Sequence, residues 1–162
     1  SGEVDWERFQ APQQLQLPST FNSWAVKEAG VPGACMFASA KALASFYSAL
    51  GAGGLLKAST LRRMAQADAA TASGTLDGES VHWGLGVQVG TATQGDSGQA
   101  VTVIGHRGTG GVVGFTIPAA GLSVAVTLSR LSSERRLTRR LVELVLRECG
   151  AWVLQQDGGG LV

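Results

Sequence analysis

The chain has 162 residues, 44% of them hydrophobic and 15% charged, a balance that fits a packed globular chain and excludes a disordered one. Lys+Arg 13 against Asp+Glu 12 leaves a formal charge of +1, so no charge excess draws the chain onto nucleic acid or anionic lipid. The 23 glycines run at about twice average usage without the three-residue period of collagen, and therefore mark turns and close backbone approaches.

The first 33 residues hold Pro12, Pro18, Pro32 and a Gln-rich stretch without sustained periodicity, which predicts an extended arm or loop over 1–33. Over 36–50 the apolar positions Leu43, Phe46, Tyr47 and Leu50 recur at three and four, giving a helix that Gly51, Gly53 and Gly54 stop. A short helix follows from Thr60 to about residue 70, with Ser59 or Thr60 as its cap, and 71–80 read as a loop.

From His82 the period becomes strand-like. The segments 83–89, 100–105, 111–117 and 122–128 are short, rich in Val, Ile and aromatic residues, and separated by Gly, Pro, Asp and Ser clusters, which predicts an antiparallel meander. In the last of them Leu122, Val124, Val126 and Leu128 alternate with the small Ser123, Ala125 and Thr127, so one face is apolar and the other can lie under a helix. A terminal helix capped by Ser132 or Ser133 is expected to bury Leu137, Leu141, Leu144 and Val145. Its residues Arg135, Arg136, Arg139, Arg140 and Arg147 are expected to face solvent. The division is 1–33 arm, 34–150 folded part, and 151–162 flexible tail. Helices, then strands, then one helix give an α+β fold, an antiparallel sheet with the C-terminal helix packed on it. Four strands leave a sheet edge unpaired, which suggests part of a larger sheet.

No apolar run approaches the ~20 residues of a membrane span, and the start SGEVDWERFQ has no leader pattern. Cys35, Cys149, His82 and His106 never fall at metal-ligand spacing, so no metal or cofactor is expected. The two thiols read as buried and reduced, which favours an intracellular protein. Gly95-Asp96-Ser97-Gly98 has the look of a trypsin-like nucleophile loop. Without a matching His and buried Asp from elsewhere in a larger chain, it reads as a hairpin loop. Gly84-Leu85-Gly86 lacks the third glycine of a dinucleotide loop and reads as structural.

Gly105-His106-Arg107-Gly108-Thr109-Gly110-Gly111 differs in kind. A strand ends in a titratable residue, and the glycines after it let a ligand approach backbone N–H groups. From the residues alone, a binding site and a plain glycine hairpin both remain open.

The stretch VPGACMFASAKALASFYSALGAGGLL, then WGLGVQVG, then GHRGTGGVVGFTIPAAGLSVAVTLSRL resembles the C-terminal part of the serine beta-lactamase and penicillin-binding-protein-like hydrolases, nearest the class C beta-lactamase and esterase branch. The resemblance runs from about residue 31 to 149. Residues 17–21 also look similar to plant and algal proteins in which an atypical ABC1-type kinase is fused to such a domain, which would imply a plastid or mitochondrion.

The family resemblance implies a partial beta-lactamase/transpeptidase-like fold. It places His106, Arg107 and Gly108 as the third motif of the family's centre, with His106 and Arg107 lining the pocket and the Thr109 amide as an oxyanion donor. Arg107 stands where many members carry a small hydroxyl or glycine.

The other two, Ser-x-x-Lys and a Tyr-x-Asn or Ser-x-Asn motif, are missing from the chain. Ser23 has Lys27 at four and Ser39 has Lys41 at two, so no Ser-x-x-Lys exists. Lysine at three matters because one helical turn sets the amine against the hydroxyl it activates. Tyr47 reads as core packing. The resemblance therefore implies a C-terminal fragment of a hydrolase of beta-lactams, esters or D-amino-acid peptides. Such a fragment is inactive alone, and its partner is the missing N-terminal half or another protein chain. The alternative is a non-catalytic interaction module, a truncated pseudoenzyme.

Overall fold

The computed structural model describes residues 18–31, 36–66, 74–76, 79–108, 110–132, 135–155 and 161. The expectations placed on Cys35, Thr109 and Ser133 lie outside the described residues. The chain divides into two compact units, Ser1–Ala38 and Ser39–Val162.

In the first unit, α1 (Pro18–Phe21) and α2 (Trp24–Ala29) stand where an extended arm was expected. The local cause is a cap. The Ser23 hydroxyl accepts from the Val26 N–H and donates to the Thr20 carbonyl, and Gly30 ends α2 in the left-handed region at φ 55°.

The second unit is built on an antiparallel sheet. Its helices are α3 (Ala40–Gly51), α4 (Ala58–Met64) and α5 (Arg136–Glu148). Its strands are β1 (Gly74–Leu76), β2 (Glu79–Trp83), β3 (Gln88–Gln94), β4 (Ala100–Arg107), β5 (Val113–Ile117), β6 (Leu122–Val126) and β7 (Trp152–Leu154). The order β1-β2-β3-β4-β5-β6 is a meander, as the turn spacing predicts, and β7 returns to pair with β3. The expected strand 83–89 is instead the end of β2, a turn through residues 84–87, and the start of β3. β1 and the first two residues of β2 occupy residues expected to be loop.

Pleat alternation divides the core between two faces. Val89 and Ile104 join Leu43, Tyr47 and Leu50 of α3 on one face, with Leu61 and Met64 of α4 beside them. Ala92, Val103, Val113, Phe115, Ile117 and Val124 meet Val142 and Leu146 of α5 on the other. The alternation foreseen in β6 holds, because Val124 faces α5 while the small Ala125 lies with the α3 cluster. Gly114 in β5 lies close under α3. A Cβ there would sit 2.5 Å from a Tyr47 ring carbon and 2.9 Å from Leu43.

Four expectations are corrected. In α5 the buried residues are Thr138, Val142 and Leu146, while Leu137, Leu141, Leu144 and Val145 are 60%, 39%, 39% and 40% exposed. Both sets have helical spacing, and the polar Thr138 made the truly buried one look the weaker. The N-cap residues of α4 and α5 are Lys57 and Arg135, neither with a side-chain cap hydrogen bond, and not the expected Ser59 or Thr60 and Ser132. Among the described residues of the expected tail, β7 pairs with β3 and Leu161 is buried in the α5 cluster. Cys149 is a free, exposed thiol and not a buried one.

Candidate functional site

His106 and Arg107 are the last residues of β4, and their neighbours β3 and β5 fix where each points. His106 pairs with Gly114 and so shares the face that α3 covers, but α3 lies over β5 and β6 and leaves the end of β4 open. The imidazole is therefore exposed. Its neighbour is Trp83 at the end of β2, the two rings meeting edge to face at 5.7 Å between centroids and 64° between planes.

Arg107, one residue on, turns to the opposite face beside Val113 and is 1% exposed. The two side chains of the expected pocket are therefore not brought together. His106 faces solvent, and Arg107 belongs to the interior on the α5 side.

Backbone groups around the pair are committed. The Arg107 N–H donates to Gln88 Oε1 at 2.8 Å, and the Gly108 N–H donates to the Val112 carbonyl at 2.9 Å, closing the β4–β5 turn. Gly110 and Gly111 take φ of 87° and 94°, which glycine adopts without the Cβ penalty. The turn is fastened from behind. The Ser132 N–H donates to the Gly110 carbonyl at 3.0 Å, and the Thr138 hydroxyl donates to the Gly111 carbonyl. The result is an exposed imidazole beside a turn whose Gly110 and Gly111 carbonyls are hydrogen-bonded from behind, a geometry suited to a charged or polarised group brought up to the strand end.

The competing motifs are structural. Ser97 sits in the β3–β4 turn, where its hydroxyl accepts from the Gln99 N–H and the Gly98 N–H donates to the Gln94 carbonyl, so the Gly95–Gly98 stretch is a hairpin loop. Gly84 donates to the Val87 carbonyl, and a Cβ on it would overlap the Met64 carbonyl oxygen, so this glycine serves a close approach. Ser39 caps α3 by accepting from the Ala42 N–H, and Ser23 caps α2, which gives both serines with a nearby lysine a structural task. Tyr47 packs in the core, 7% exposed, as the helical spacing predicts. No cluster of three metal-ligating side chains occurs among the described residues. None of the helices among them is long and apolar enough to cross a membrane.

Sequence reasoning missed Trp83, Gln88 and Thr138 as parts of this arrangement. The available signal for Gln88 was a polar residue between Val87 and Val89 in a strand with both faces covered.

Comparison with known proteins sets this geometry in a family. No curated protein and no solved structure matches the chain. The profile of the Beta-lactamase family matches residues 2–147, so the first thirty residues fall within the resemblance as well, while the kinase-fusion likeness of residues 17–21 gains no support. An antiparallel sheet with helices, the strand that leads into His106-Arg107-Gly108 and a family match over most of the chain agree: this chain belongs to the beta-lactamase family.

Proposed function

We propose that the chain supplies the third-motif side of a serine-hydrolase centre and depends for turnover on a nucleophile from outside these 162 residues. The observation that carries this reading is His106, exposed at a strand end against Trp83 and followed by a braced glycine turn, in a chain without Ser-x-x-Lys. In this reading the imidazole faces the reacting group, Trp83 forms the adjoining wall, and the Thr109 amide is one oxyanion donor. With the Arg107 and Gly108 N–H groups engaged inside the protein, oxyanion binding is left to the turn beyond them. Arg107 acts from the interior and does not touch substrate.

The missing part is expected to be the N-terminal half of the domain. Among the described residues β6 pairs only with β5, and its other edge lies open to a further strand. The exposed Leu137, Leu141, Leu144 and Val145 on α5 leave an apolar stripe for a further element. The same stripe favours a second reading, a non-catalytic interaction module.

The test is turnover of a chromogenic beta-lactam and a chromogenic ester. The chain alone should give none. Joined to a family N-terminal segment carrying Ser-x-x-Lys it should become active, with His106→Ala lowering the rate about a hundredfold. Turnover by the chain alone that His106→Ala abolishes would overturn the proposal. A joined domain that folds but stays inactive would favour the interaction module, and a monomer binding no partner in size exclusion would count against that module.

A further inference from the structure

The β3–β4 ladder stops short of the site. Its last pair is Gln88 with Gly105, and continuing the register would set Arg107 opposite Gly86. The chain has already turned there, with Gly86 at φ 72° and the Gly84 N–H bonded to the Val87 carbonyl. Along a strand successive N–H groups alternate between the two neighbours. The Gly108 N–H goes to the β5 side, so the Arg107 N–H points toward β3, past the last pair of that ladder. Gln88 Oε1 fills that place at 2.8 Å.

The same side chain is 1% exposed, and its Nε2 has no hydrogen-bond partner. A buried amide with one end unsatisfied is a cost that an apolar residue would avoid, at the expense of taking this acceptor from the Arg107 N–H. Gln88 also pairs through its backbone with Trp83, the residue against which His106 rests. One residue thus ties together the strand that carries Trp83 and the strand end that carries His106.

We infer that Gln88 is a positioning residue, its side-chain carbonyl standing in for the missing rung of the β3–β4 ladder and fixing the backbone at Arg107 so that His106 is held against Trp83. That the group being positioned is a reacting one rests on the function proposed above. The hydrogen bond and its consequences do not, so the readouts below stand or fall independently of any turnover assay.

The experiment is solution NMR on the full chain. In the unmodified protein, a scalar coupling across the hydrogen bond should connect the Arg107 amide nitrogen to the Gln88 side-chain carbonyl carbon. Gln88→Met, close in shape but without an acceptor, should speed amide exchange at Arg107 about tenfold and weaken the proton contacts between His106 and Trp83. Exchange at Val103 and Ile117 should stay unchanged. Gln88→Glu, which keeps an acceptor oxygen whether or not it is protonated, should restore both. Absence of the coupling in the unmodified protein would overturn the inference, even if Gln88→Met fails to fold. So would Arg107 exchange that does not change in a folded Gln88→Met, or that rises equally at Val103 and Ile117, since the last result marks a residue that only packs.

Discussion

The hydroxyl of Thr138 donates a 2.5 Å hydrogen bond to the carbonyl of Gly111, so the C-terminal helix holds the glycine turn that follows His106. Both groups are buried, and the bond joins residues 27 positions apart in the chain. Thr138→Val keeps the shape and removes the donor, leaving a buried carbonyl without its partner. The expected cost is about 1–3 kcal/mol in urea denaturation, with the slope against urea unchanged.

Helix α5 offers a direct comparison of its two apolar sets. Leu146, 1% exposed, should lose about 2–5 kcal/mol on substitution by Ala, because the atoms removed leave a cavity in a packed core. Leu137→Ala, at a position 60% exposed, should stay within about 0.5 kcal/mol. Equal effects from the two substitutions in thermal or urea unfolding would contradict the burial described above.

Two glycines in the sheet are there for space. Gly114→Ala pushes a methyl group against Tyr47 and Leu43, side chains that can shift, and should cost about 1–3 kcal/mol. Gly105→Ala meets the Gly114 carbonyl and the Phe115 backbone, which cannot shift without breaking the β4–β5 pairing. Its melting temperature should therefore fall below that of Gly114→Ala.

Tyr47 gives a prediction in pH. Burial raises its phenol above the usual 10.0, because desolvation penalises the charged form. The folded state thus keeps the proton at a pH where the unfolded chain loses it. The stability this contributes is complete below about pH 10 and is lost as pH rises through the folded value. Tyr47→Phe should flatten the fall in melting temperature above pH 10. As this is the one tyrosine in the chain, near-ultraviolet absorbance should show its ionisation delayed until the protein unfolds.

Much of the fold could be read from one-dimensional pattern. The helix through Leu43, Tyr47 and Leu50, the meander, the two faces of β6 and the hairpin at Ser97 all follow from local spacing and turn chemistry. Where two local patterns competed, spacing gave no ranking. Leu137, Leu141 and Leu144 look like a buried stripe, yet the helix turns Thr138, Val142 and Leu146 inward because Thr138 has a carbonyl to bond in the β4–β5 turn. The strand at Trp152–Leu154 was hidden for a similar reason, since its partner β3 lies far away in the chain and a Gly-rich stretch at 158–160 comes soon after it.

For the site, the sequence by itself determined the strand that ends in His106-Arg107-Gly108, the glycine turn after it, the family likeness and the lack of Ser-x-x-Lys. These are matters of residue identity and short-range order. Only the tertiary structure decided that His106 is exposed against Trp83 while Arg107 is buried, and that Gln88 and Thr138 fasten the strand end and its turn. The physical reason is that pleat alternation separates neighbours in a strand, whereas sheet register and helix packing join residues that the sequence keeps far apart.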